Sequence, residues 1–412
     1  MADVKNSRKS TYKHVSIANS SLSQQARRVQ ALEDQKKRRA SKVDALRQLE
    51  SFGNLSLSVS DDEEDAAPRI VPQGLGAFVG AFESSTPKDV AQPAIPTPPP
   101  SVPRRSRKKR KGHVKKQDAN ETSEWADRCM YAELLEMNVE DAWGDLDGLP
   151  DDLETGWVAV APVPVGKRCL AVAHQGSASA PNTILRSRAL GKPLMPRFPS
   201  TLPPNTILDC ILDADWRSNG ILHVLDVIKW KSQDVADCET AFRFWWRDTR
   251  LAELTTSPPP TMPPSRPSEA PSDTYRFSYP TKLVPVPHHT NTTLTHLVSH
   301  VVPASRAARS LSVDIPTSVG DEGMMMDALV NVAPVNITVA ADGLLLYVAE
   351  ASYESGTSPL SSWVPIVSYN TIDGMDESAA ESPLDKFNRL VQRRLEKRAI
   401  AENRDDDVAM EM

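Results

Sequence analysis

The 412-residue chain has no uninterrupted apolar run of eighteen residues, and its first residues, "MADVKNSRKS", carry no apolar middle region. A membrane-spanning helix and a secretory leader are therefore not expected, and the sequence reads as that of a soluble intracellular protein. Cysteines are scarce: Cys129, Cys169, Cys210 and Cys238 stand apart without any C-x-x-C pair, which argues against a disulfide framework and a zinc site and for reduced core residues. The chain also lacks a G-x-x-x-x-G-K-[ST] phosphate loop, a G-x-S-x-G elbow and an H-E-x-x-H helix. His288, His289, His296 and His300 cluster without a carboxylate or cysteine at ligand spacing and read as a polar loop and helix start rather than a metal site. No cofactor is expected.

Proline and charge are plentiful. With 34 prolines, long segments bury little, and one folded domain with tails is the expected organisation. The formal charge of −6 hides an asymmetry: residues 1–50 hold 12 basic against 5 acidic residues, and residues 104–116 hold 9 basic residues and no acid. Two basic islands thus sit on a strongly acidic remainder. Such islands attract nucleic acid, acidic lipid or an acidic protein groove, and charge alone does not choose among them.

Residues 7–52 contain a basic amphipathic helix. Ser21 and Gln24 are spaced as a capping box, and Leu22, Val29, Leu32, Val43, Leu46 and Leu49 fall near helical spacing. The apolar stripe is thin, so the helix is expected to order on a partner. Residues 53–122 read as a disordered linker that ends in the basic string 104–116, "RRSRKKRKGHVKK". That string fits a second nuclear-localisation signal, an RNA-binding tail or a solubilising stretch.

From residue 123 to 370 the texture changes to tryptophans and short strand-like runs, "GWVAVAPV", "RCLAVAH", "TILDCIL", "ILHVLDVIKW", "FRFWWR" and "NITVAADGLLLYVA". These predict an α+β domain, mainly antiparallel β, interrupted by a proline-rich disordered insertion at 254–273 between two strands. Residues 371–412 read as a polar tail dispensable for the fold. Among the eight tryptophans, Trp363 follows the small-residue run "YESGTSPLSS". It is expected near a loop end, where its indole face would be presented as a stacking platform.

The segments "PDDLETGW", "PVGKR", "NTILDCIL", "HVLDVIKW", "DCETAFRFWW", "DGLLLY" and "GTSPLSSW", in that order, resemble the snurportins, adaptors that carry spliceosomal ribonucleoproteins into the nucleus. The resemblance implies a domain that binds the 2,2,7-trimethylguanosine cap of U snRNAs and their particles, and a preceding basic helix that binds importin-beta. It also implies shuttling between cytoplasm and nucleus, with an exportin for recycling, although "MADVKNSRKS" shows no apolar run for that exportin. The cap-binding core in turn resembles the nucleotide-binding domain of messenger-RNA guanylyltransferases. Against K-x-D-G-x-R this chain has Val163, Val165, Gly166 and Arg168; against D-G-E it has Asp209, Cys210 and Ile211; against K-W-K-P it has Ser362, Trp363, Val364 and Pro365. Without the lysine nucleophile the pocket should bind a guanosine and do nothing to it: a binding module, not an enzyme.

The site residues implied by the resemblance are Trp363 and Trp143 as aromatic walls, Asp141 where the family has a serine, Arg168 from the scaffold, and Arg186 in place of a pocket lysine that falls on Thr183. The carrier-binding cations are Arg27, Arg28, Lys36, Lys37, Arg38, Arg39, Lys42 and Arg47. Two other readings compete: a general RNA-binding protein that clamps phosphates through residues 104–116, and a divergent nucleotidyltransferase.

Overall fold

The computed structural model describes residues 22–55, 123–138, 147–176, 180–255, 275–316, 332–367 and 381–410. The candidates Asp141 and Trp143, the string 104–116, Ser21 and almost all of the 254–273 insertion lie outside the described residues.

The architecture is α+β and mainly antiparallel. Helix α1 is Gln24–Leu55, and the strands are β1 Met130–Leu134, β2 Trp157–Pro164, β3 Gly166–Ala173, β4 Thr183–Ser187, β5 Thr206–Asp213, β6 Ile221–Trp230 and β7 Gln233–Asp234. Helix α2, Thr240–Ala252, precedes β8 Lys282–Pro285 and β9 His288–His289. A helical stretch α3 follows, made of Leu294–His296, a π-turn Leu297–Val301 and Val302–Arg306. Then come β10 Arg309–Pro316, β11 Val332–Val339, β12 Ala341–Val348, β13 Gly356–Pro365 and helix α4, Pro383–Met410.

One sheet has the order β1-β13-β12-β2-β9; a second runs β4-β3-β5-β6-β7 with β8 beside β6; β10 and β11 form a separate pair. Two pairings are parallel, β1 with β13 and β6 with β8. A single cluster of buried side chains joins Val158 and Val160 of β2, Leu345 of β12 and Trp363 of β13 to Ile211 and Leu225 of the second sheet. Strand β2, "WVAVAPVP", is buried along nearly its whole length, which is why it reads as a continuous apolar run rather than an alternation. The stretch "VPVGKR" is the β2–β3 hairpin. A Cβ on Gly166 would stand 2.3 Å from the Leu212 carbonyl oxygen, so this glycine serves the close approach of β3 to β5.

Two expectations fail here. "FRFWWR" is not a strand: Thr240, Arg243, Phe244, Arg247 and Leu251 are the buried positions of α2, a helical spacing hidden because two of the five are arginines. Arg243 is wholly buried and grips Asp226 of β6 at 3.0–3.2 Å, and Arg247 donates to the carbonyls of Leu225 and Val286 at 2.5 and 2.8 Å. The 254–273 insertion therefore starts after a helix, not between two strands. The tail 371–412 is also not merely polar. Leu384, Phe387, Leu390 and Val391 of α4 are fully buried in the main core, and Arg394 forks onto Asp147 at 2.6 Å through two nitrogens. Four apolar side chains on one face suffice to seat a helix whose remaining residues are charged.

Candidate functional site

Trp363 lies in the middle of β13, opposite Leu345 of β12 on one side and Leu134 of β1 on the other. It is only 5 % exposed, which corrects the loop-end expectation. The small residues of "GTSPLSSW" form a strand because both neighbours supply pairing partners, and Pro359 falls where the register to β1 shifts between Ala132 and Glu133. The Trp363 carbonyl accepts from the Leu135 N–H at 3.1 Å. Its indole Nε1 is buried and, among the described residues, without a hydrogen-bond partner. Gly343 lies under the ring: at φ +156° a Cβ there would be 2.8 Å from the indole Cη2 and 2.4 Å from the Val364 carbonyl oxygen. A buried, unpaired N–H on a tryptophan costs free energy and marks a place where an acceptor belongs.

Arg168 is committed elsewhere. Its Nε and Nη2 fork onto Asp209 at 2.6 and 2.8 Å, and Nη2 also donates to the Met130 carbonyl at 3.1 Å. Tyr353 Oη donates to the same carboxylate at 2.6 Å and accepts from the Met130 N–H at 2.9 Å. This network ties β1 and the loop before β13 to the second sheet. Burial, reinforced by the Asp209 charge, pushes the Tyr353 hydroxyl well above its ordinary range and keeps it a neutral donor. Burial pulls the Arg168 guanidinium down, and Asp209 more than restores it. Arg168→Ala should therefore destabilise the protein by about 3–5 kcal/mol by leaving a buried carboxylate unpaired. Chemical denaturation measures this, and a loss below about 1 kcal/mol would contradict the assignment.

Arg186 sits on β4 at the edge of the second sheet. Its guanidinium carbon lies 5.8 Å from the centroid of the Trp125 ring, and Nη1 donates weakly to the Gly191 carbonyl at 3.4 Å. Trp125 lines a cavity of 240 Å³ with Glu124, Arg128, Leu170, Ile207, Ile228 and Ser355. Nothing in its local sequence separates Trp125 from packing tryptophans. The structure thus joins Arg168 to the sheet of Trp363 through Met130, whereas Arg186 belongs to the Trp125 side. Val163, where a nucleophilic lysine would stand, is a buried aliphatic residue of β2. Among the described residues no group of three or more His, Cys, Asp or Glu is placed to hold a metal ion.

The basic helix departs most from expectation. Over Gln24–Val43 it lies on the folded domain of its own chain. Ser23 Oγ accepts from the Ala26 N–H at 3.2 Å, so the cap falls at Ser23, and Gln24 is spent on the domain. Its Nε2 donates to the Leu134 carbonyl at 3.0 Å, and its Oε1 accepts from the Glu136 N–H at 3.1 Å. Arg27 pairs with Glu133 and Glu136 at 2.9 and 3.2 Å. Arg28 stands 5.3 Å from the Trp157 ring and 3.3 Å from Ser362 Oγ. Gln35 exchanges two hydrogen bonds with the Ser352 backbone, 2.9 and 3.3 Å. Lys36 pairs with Glu350 at 2.9 Å, Arg39 donates to the Glu350 carbonyl at 3.2 Å, Arg38 pairs with Glu354 and Lys42 with Asp237. Lys37 and Arg47 pair within the helix, with Glu33 and Asp44. The buried positions 24, 27, 28 and 35 have helical spacing but are polar. Of the anticipated apolar stripe, Leu32 packs against the main core, whereas Leu22, Val29, Val43, Leu46 and Leu49 are about half exposed.

Residues 140–259 match a protein-family profile described as Snurportin1, m3G cap-binding domain. The match spans β2 to β7 and α2 and includes Asp141, Trp143, Arg168 and Arg186, while Trp363 and α1 lie outside it.

Proposed function

We propose, from the match of residues 140–259 to the Snurportin1 m3G cap-binding domain profile, that the chain binds the 2,2,7-trimethylguanosine cap of U snRNAs and delivers the capped particle to importin-beta through α1, cycling between cytoplasm and nucleus. The family is a binding module. The observation that carries the cap reading is the match itself, and it is supported by Trp363, whose indole Nε1 is buried and, among the described residues, without a partner, beside a glycine that leaves its ring room. Methylation at N7 makes the guanine cationic, so stacking on an indole gains a cation–π component. Two methyls on N2 remove both donors and add apolar surface worth about 0.8 kcal/mol each when buried. An apolar wall near N2 then discriminates, and Trp143 is the residue proposed for it, with Arg186 the cation nearest the position of the family's pocket lysine.

The test is competition for capped RNA by trimethylated, monomethylated and unmethylated cap dinucleotides. The trimethylated form should compete best. Equal competition by all three would reduce the protein to a general RNA binder. Incubation with labelled GTP and magnesium should leave no adduct, because Val163 offers no nucleophile; a covalent GTP-derived label would move the chain to the nucleotidyltransferases. On the carrier side, reversing charge at Lys36, Lys37, Arg38 and Arg39 should abolish importin-beta binding, since a helix with so few apolar contacts depends on charge for its affinity.

A further inference from the structure

The cations assigned to importin-beta are already paired. Of the eight, Arg27, Arg28, Lys36, Arg38, Arg39 and Lys42 reach groups on the folded domain, spread over a helical length of about 22 Å. We propose that Glu133, Glu136, Asp237, Glu350 and Glu354 form a built-in seat for α1 that competes with the acidic groove of its carrier for the same cations. This rests on the reading of α1 as the carrier-binding segment. In the seated state the helix covers its charged face and leaves Val29, Val43, Leu46 and Leu49 about half exposed, so a carrier meets the apolar stripe but must displace the domain to reach the arginines.

The seat is graded along its length. At the N-terminal end Gln24, Arg27, Arg28 and Gln35 are buried and hydrogen-bonded to backbone and side chains of β1, β13 and the loop between β12 and β13. At the other end Lys36 with Glu350 and Lys42 with Asp237 are half exposed, where ion pairs add little and are screened by salt. Release therefore begins at Lys42 and proceeds toward Arg28. Arg28 favours leaving: its charge is penalised by burial, which lowers its pKa to about 10 against the pull of Glu133, Asp152 and Glu136. A carrier that binds only the released helix sees its affinity divided by the reciprocal of the released fraction.

Hydrogen exchange on the full-length chain tests the seat without any carrier. In the triple variant Asp237→Lys, Glu350→Lys, Glu354→Lys the amides of residues 24–43 should exchange about tenfold faster than in the unmodified protein, and importin-beta should bind about tenfold more tightly. Equal exchange in both proteins overturns the seat. Faster exchange with unchanged importin-beta affinity overturns the competition. A synthetic peptide of residues 22–49 separates the two readings: it should bind importin-beta more tightly than the full chain does. A peptide that does not bind removes the carrier assignment, and the competition with it, whereas exchange in the full chain still judges whether the helix is seated.

Discussion

Trp363→Ala is expected to weaken binding of a trimethylated cap dinucleotide about tenfold or more and to cost about 3–5 kcal/mol of folding stability. The two effects arise together because the indole is both the assigned stacking face and a core residue, only 5 % exposed between β12 and β1. Trp363→Phe separates them: the ring still fills much of the space over Gly343, but the smaller π-face and the missing N–H should leave cap affinity several-fold below that of the unmodified chain. Fluorescence titration with the cap dinucleotide, alongside thermal unfolding of each variant, reads both quantities. If Trp363→Phe binds cap with undiminished affinity and Trp363→Ala loses stability alone, Trp363 is a packing residue and the cap stacks elsewhere.

Removal of residues 382–412 should prevent recovery of a cooperatively folded protein. Leu384, Phe387, Leu390 and Val391 are each fully buried in the main cluster, and loss of a single such side chain typically costs about 2–5 kcal/mol. Four together reach the whole stability of an ordinary domain, about 5–15 kcal/mol. The truncation also leaves Asp147 without Arg394 and the carbonyls of Leu149 and Pro150 without their donor. A truncated chain that keeps a sharp thermal transition near that of the full protein would show that α4 is an ornament of the fold. Phe387→Ala, which leaves the helix in place, should lower stability by about 3–5 kcal/mol on its own.

The strands were legible where local pattern and final environment agree. "TILDCIL" and "ILHVLDVIKW" became β5 and β6, a neighbouring antiparallel pair whose residues 208 and 227, 209 and 226 face one another, and the apolar continuity of β2 follows from its cover on both faces. Legibility failed where polar residues do the burying. In α2 the arginines that plug into Asp226 and the Leu225 carbonyl look solvent-facing in sequence, and in α1 the fully buried positions are Gln24, Arg27, Arg28 and Gln35, with only Leu32 of the anticipated stripe packed on the core. Trp363 stands out in sequence as an aromatic, but its place inside a strand depends on pairing with β1, more than two hundred residues earlier in the chain, and no window of sequence contains both partners. Trp125 is inconspicuous in sequence for a related reason: its cavity is assembled from Leu170, Ile207 and Ile228 of three different strands.

The parallel union of β1 with β13 sets a clock for the nascent chain. Met130 finds its partner Tyr353 only 223 residues later, which at about 5–20 residues per second is on the order of ten to fifty seconds of synthesis. Glu354, which holds Arg38, emerges 316 residues after it. Throughout that interval Arg38 lacks its partner, although Glu133, Glu136 and Asp237 emerge earlier to meet Arg27 and Lys42, and the first strand of the five-stranded sheet has an open edge. Nascent-chain pull-downs stalled before and after residue 365 should differ in how much polyanion they capture, because Lys36, Arg38 and Arg39 gain Glu350 and Glu354 only as the last strand is made.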